Sequence, residues 1–153
     1  MAFSHHAALL ALAALPAIAG AQVTPGQWQT TATVESVEMP GAPPQIAQMM
    51  RGRMGGGPHV MSYCITPEQA AQGPKEMFKN NPSCRFASFS MSGGKISTEM
   101  VCSQNGGTMT ARATGSYTPT SFDVRSTASM SGQMSMRMTT RSSGRRIGPC
   151  TGK

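Results

Sequence analysis

Sulfur is the group that stands out in this chain as capable of specific chemistry. The sequence holds 14 methionines and four cysteines beside five Phe, two Tyr and one Trp. Met134, Met136 and Met138 form an M-x-M-x-M run, with Met130 just before it. Met49, Met50 and Met54, followed by His59, make a second grouping. Thioether sulfur is a soft donor that suits Cu(I) or Ag(I). One reading is therefore a soft-metal buffer or chaperone, with Met49, Met50, Met54 and His59 as candidate ligands. The competing reading is geometric. In a strand, residues two apart share a face, so Met134, Met136 and Met138 would line one side and Ser135, Arg137 and Thr139 the other. That is an ordinary half-buried strand, and flexible methionines fill irregular cores well. The spacing favours the core reading there. The methionines of residues 49–54 have no strand pattern behind them, and carry either the metal reading or a lipid- or peptide-binding one.

Other chemistries find less support. Catalysis needs a positioned base, nucleophile or metal. Beyond the first few residues His59 is the lone histidine, and the carboxylates are Glu35, Glu38, Glu68, Glu76, Glu99 and Asp123. Glu35 and Glu38 differ in strand parity, so they are expected on opposite faces. Glu68 suits the first turn of a helix. No catalytic set can be assembled, which favours a binding or structural protein over an enzyme. Gly55-Gly56-Gly57 lacks the Lys-Ser or Lys-Thr of a phosphate cradle. No other cofactor motif is present, and the few scattered aromatics offer no nucleic-acid stacking platform.

The cysteines speak of compartment. Residues 1–21 combine an apolar run, Ala7 to Ile18, with Ala19-Gly20-Ala21, an A-x-A cleavage pattern. The expectation is a signal peptide cut after Ala21, leaving Gln22 first; an uncleaved anchor is the alternative. The run is shorter than the roughly 20 apolar residues that span a bilayer, so an integral membrane helix is not expected. Cys64, Cys84, Cys102 and Cys150 then read as two disulfides in a periplasmic or secreted protein. The net charge of +7 is concentrated after Ser103. It is either a solvated basic face or an attraction for lipid head groups and other anionic envelope components.

The elements that must position these residues can be sketched. Residues 22–153 read as one β-rich domain. A strand is expected over Gln27–Ser36 and another over Val60–Ile65. The Pro-, Gly- and Met-rich stretch Met39–His59 between them holds at most one helical turn, Gln45–Met50, and is either a functional flap or disordered. Thr66-Pro67-Glu68-Gln69 is a capping box that starts a short helix. A turn over Lys75–Lys79 is possible. From Cys84 onward, strand-like segments alternate with turn residues about every ten positions. The fold class expected is mainly β: an antiparallel meander of about seven strands curled into an open half-barrel or sandwich, with one short helix and two disulfides.

The pairing of the cysteines follows from one hairpin. If Ser92-Gly93-Gly94 is a three-residue loop in "CRFASFSMSGGKISTEMVC", Met91 faces Lys95 and Cys84 falls opposite Cys102. A two-residue Gly93-Gly94 turn would instead put Cys102 opposite Arg85, on the wrong face. The first register gives Cys84–Cys102 and, by elimination, Cys64–Cys150.

The order "PGQW", a Pro/Met-rich loop, "CITPEQAA", the hairpin above, "MSMRM" and a terminal "GRRIGPC" resembles the bacterial exported family catalogued as domain of unknown function 3617. The resemblance implies a small, β-rich envelope protein and no particular activity. The leading functional expectation is a non-enzymatic envelope protein that binds an apolar or anionic ligand such as lipid. A structural or assembly factor acting by protein contact is a further alternative.

Overall fold

The computed structural model describes residues 23–73, 82–104, 106–132 and 135–151. The expected signal peptide, the expected turn over Lys75–Lys79 and Met134 lie outside the described residues.

Seven strands and two helices follow one another as β1 (Gly26–Glu38), α1 (Pro44–Met54), β2 (His59–Ile65), α2 (Pro67–Gln72), β3 (Cys84–Ser92), β4 (Lys95–Gln104), β5 (Gly107–Thr118), β6 (Ser121–Ser131) and β7 (Met136–Gly148). All seven strands belong to one antiparallel sheet with the order β2-β1-β7-β6-β5-β4-β3. Strands β3 to β7 form a meander. β1 docks on β7, and β2 adds outside β1. The sheet is open, with β2 and β3 as its edges. Residues 66–83 therefore carry the chain from one edge of the sheet to the other.

The expected turn at Gln45–Met50 is a full helix of 11 residues, α1, with Pro44 in its first turn and Arg51 and Arg53 in its last. Only Ala47 of this helix is buried. Its apolar periodicity is too weak to announce it, and Gly52 obscures it further. α2 is as expected. Thr66 accepts from the Gln69 backbone N–H at 3.2 Å, and the Gln69 side chain accepts from the Thr66 N–H at 2.9 Å. The Thr66 side chain, and then the local backbone, hold the Glu68 carboxyl below its ordinary pKa. The charged form of Glu68 thus favours the fold above the ordinary carboxylate range, and that contribution is lost as pH falls through the lowered value.

The cysteines pair as expected, Cys64 with Cys150 and Cys84 with Cys102, but the hairpin reaches that pairing by another route. Its turn is the two-residue Gly93-Gly94, with φ of 56° and 73°. Both central residues need positive φ in the tight turn that matches strand twist, which is why glycines stand there. Ser92 faces Lys95 and Met91 faces Ile96. A register shift between Phe86 and Ser88, a bulge at Ala87, then restores Phe86 opposite Met100 and Cys84 opposite Cys102. The extra residue inverts the alternation of faces beyond it. Phe86 and Phe89, three apart, consequently stand on the same face, with ring centroids 5.3 Å apart.

A second bulge lies between Val34 and Ser36 in β1. It corrects the expectation for Glu35 and Glu38. The inserted residue brings both to the convex face, where Glu35 meets Arg125 at 2.6 Å and Glu38 is the cross-strand partner of Arg137.

Candidate functional site

The two faces of the sheet differ in chemistry. Strand registers place Trp28, Tyr63, Ala113, Val124 and Ser142 on one side and Arg112, Thr127, Arg125, Arg141 and Ser143 on the other. The first side is concave. At about 4.8 Å per strand, a flat sheet would set β2 and β3 roughly 29 Å apart. Yet Tyr63 of β2 and Phe86, Phe89 and Met91 of β3 line the same trough, which encloses about 430 Å³. The sheet must curl to bring its two edges around one space.

Trp28, only 1% exposed, anchors one end of this trough. It packs with Ile65 and with Ala70 of α2, while Val23, Tyr63 and Phe122 close around them. Its indole N–H donates to the Thr24 carbonyl at 3.1 Å, so the buried ring leaves no unpaired donor. The Phe122 ring stacks near it, with centroids 6.3 Å apart. That ring sits where a Cβ on Gly144 would project, so position 144 has room for no side chain. α2, held by its capping box, closes this end over the aromatic residues.

Small residues make up the floor, among them Ala111, Ala113, Ser126 and Ser142, and aromatic and aliphatic side chains make up the walls. The polar groups are the hydroxyls of Tyr63, Thr98, Tyr117, Ser121, Ser126 and Ser142 and the Gln69 amide; Tyr63 OH accepts from Thr30 Oγ1 at 3.2 Å. Among the residues lining the trough, only Tyr63 and Tyr117 carry a titratable group. This surface can hold an apolar molecule and offers no carboxylate, imidazole or amine to it.

The arginines turn away from the trough. Arg112, Arg125, Arg137, Arg141 and Arg145 occupy convex positions. Arg112 pairs with Glu99 at 2.9 Å and Arg141 with Asp123 at 3.2 Å, besides the Arg125–Glu35 pair. Such exposed pairs contribute little stability, about 0–1 kcal/mol each. Arg146 stands on the concave side, beside Trp28, and spends its Nε–H on the Pro25 carbonyl at 2.7 Å. The basic surface and the apolar trough are therefore on opposite faces of one sheet.

The candidate metal ligands are dispersed differently. Met49, Met50 and Met54 lie on α1, where Met50 and Met54 share a side at i, i+4 and Met49 is 47% exposed. His59 opens the edge strand β2, opposite Ala32. Among the described residues no three His, Cys, Asp or Glu gather as a metal site. Met136 and Met138 do share the concave face, as their spacing implies. The trough itself was not legible from the sequence. Its aromatic residues come from β1, β2, β3, β5 and β6, and the bulge at Ala87 hides the fact that Phe89 joins Phe86. The one available signal was the pair of small residues at alternate positions, Ala111 and Ala113, which leaves open space on a single face.

The structure thus defines a class: an open, curled, seven-stranded antiparallel sheet with an apolar concave face, two helices and two disulfides. The chain belongs to the family described as protein of unknown function (DUF3617), whose model matches residues 23–150. Comparison with the curated proteins and with the solved structures returned no match. No helix among the described residues is long and apolar enough to cross a membrane.

Proposed function

We propose that this protein is an exported, non-enzymatic carrier or sensor that holds an apolar molecule, such as the acyl chain of a lipid, against the concave face of its sheet. The observation that carries this reading is the trough of about 430 Å³, lined by aromatic, aliphatic and small side chains with no ionisable group but two tyrosines. Its size falls within the roughly 300–1,000 Å³ of small-molecule sites. An acyl chain fits the shape and polarity of the trough, and its head group can remain outside the open side. The basic convex face then serves a separate purpose, as a solvated surface or an attraction to anionic envelope components. The four paired cysteines support an oxidising compartment.

Trp28 is the one tryptophan of the chain and lines the trough, so it reports occupancy directly. A long-chain fatty acid brominated along its chain should quench Trp28 fluorescence saturably, while the non-brominated chain competes the quenching away. Quenching that is absent, or that rises linearly without competition, would remove the acyl-chain reading.

A further inference from the structure

We propose a second site, independent of the trough reading, at the far end of the concave face: a thioether site for Cu(I), built from Met109, Met130 and Met136. The strand register puts these three side by side. Met109 on β5 is the direct partner of Met130 on β6, which is in turn the direct partner of Met136 on β7. They come from three different strands, so the grouping is invisible in the M-x-M-x-M run and arises only from the sheet order.

Geometry and chemistry both suit a soft monovalent cation. Sulfur ligands about 2.3 Å from a metal, arranged as a triangle, lie about 4 Å from one another. Opposed cross-strand Cβ atoms are about 4.5–5.5 Å apart, and three rotatable bonds let each sulfur adjust. Met109 and Met136 stand two strand spacings apart, roughly 9.5 Å, and the concave curl tilts both towards Met130 between them. The next row of the same face carries Met100 and Met138 at its two sides, with Ala111 and Ala128 between, so an apolar layer backs the three sulfurs. Concave strand positions at this end hold no ionisable side chain among the described residues. Cys102 is the cross-strand partner of Met109 on its other side, and its sulfur is already spent on Cys84. Thioethers are therefore the soft donors left in this region. Met130 is 39% exposed while Met109 and Met136 are half-buried, which gives a cation a way in. Neutral thioethers lower the charge of nothing they bind, and their preference is for soft Cu(I) over hard or borderline divalent ions.

Ag(I) is the redox-inert probe for this site. It is titrated, in chloride-free buffer, into the full chain with both disulfides intact, and read by the methyl carbon shifts of labelled methionines. The proposal expects one equivalent to bind with a Kd below about 1 μM and to move the signals of Met109, Met130 and Met136. The triple variant Met109→Leu, Met130→Leu, Met136→Leu keeps side-chain volume nearly constant and should weaken binding by about 100-fold or more, since losing even an outer-shell partner of a metal ligand costs about 10–100-fold. The single variant Met130→Leu, at the most exposed of the three positions, should weaken it by at least about tenfold and guards against a misfolded triple variant. The helix variant Met49→Leu, Met50→Leu, Met54→Leu should bind as the parent does. Binding weaker than micromolar in the parent, unchanged binding in Met130→Leu, or loss of binding in the helix variant instead would each overturn the assignment.

Discussion

Replacing Cys64 and Cys150 together by serine should lower stability by about 4.6 kcal/mol, against about 3.2 kcal/mol for the Cys84 and Cys102 pair, on the chain-entropy relation applied to sequence separations of 86 and 18. The larger figure has a structural counterpart. Cys64 lies near the end of β2, an edge strand paired only with β1, and Gln27 of β1 lies between Cys64 on one side and Gly148 of β7 on the other. The bond from Cys64 to Cys150 therefore reaches past β1 and fastens the edge strand, with α2 behind it, to the end of the chain. Without it, β2 retains a single ladder of hydrogen bonds. Urea unfolding followed by circular dichroism gives the two losses, and amide exchange should show β2 opening first in the Cys64/Cys150 variant. A smaller loss for that variant than for the Cys84/Cys102 variant would contradict the account.

Trp28→Ala should cost roughly 3–5 kcal/mol, the range for truncating a large buried aromatic residue. The side chain is 1% exposed, and its removal empties the centre of the cluster formed with Ile65 and Ala70. Losing the ring also strips the support from Phe122 and from α2 at the same end of the trough. Ile147→Ala is the matched control, since Ile147 is 50% exposed and such a change belongs within about 0.5 kcal/mol of neutral. The denaturant midpoints of the two variants should differ accordingly, and equal midpoints would mean that the Trp28 cluster is not the core.

What the sequence revealed and what it hid divide along physical lines. Local signals were readable: the Thr66–Gln69 capping box, the turn glycines at residues 93–94 and the strand parity of Met136 and Met138 all depend on neighbours within a few residues. The bulges at Ala87 and near Glu35 were not readable, because an extra residue in a strand leaves no compositional mark, yet each reverses the faces of everything beyond it. The hairpin shows the consequence. A three-residue loop with regular pairing and a two-residue turn with one bulge both set Cys84 opposite Cys102, and they differ in where Phe89 and Met91 go. α1 was underestimated because its single buried residue, Ala47, supplies almost no periodic signal. The trough is the least local feature of all. Tyr63 and Phe86 belong to β2 and β3, the two edges of the sheet, and only the strand order and the curl bring them to one space.

The same logic explains the placement of charge. Alternation along β5, β6 and β7 sends Arg112, Arg125, Arg137, Arg141 and Arg145 to the convex side and leaves small or apolar residues facing them across the sheet. A basic protein thereby keeps the lining of its trough free of charged side chains, with Arg146 beside Trp28 held on the Pro25 carbonyl. That separation favours an apolar guest over an anionic one in the trough.

The central claim, that the concave face holds an apolar molecule, is tested most directly by native mass spectrometry of protein purified from its own host without detergent. Ala113→Trp provides the comparison, since Ala113 lies on the trough floor between Thr98 and Ser126 and an indole there fills the space. Circular dichroism establishes that the variant keeps its sheet. The account predicts a co-purified apolar adduct on the parent chain that is absent from the folded Ala113→Trp chain. A parent chain that is bare, or an adduct retained equally by both, would contradict it.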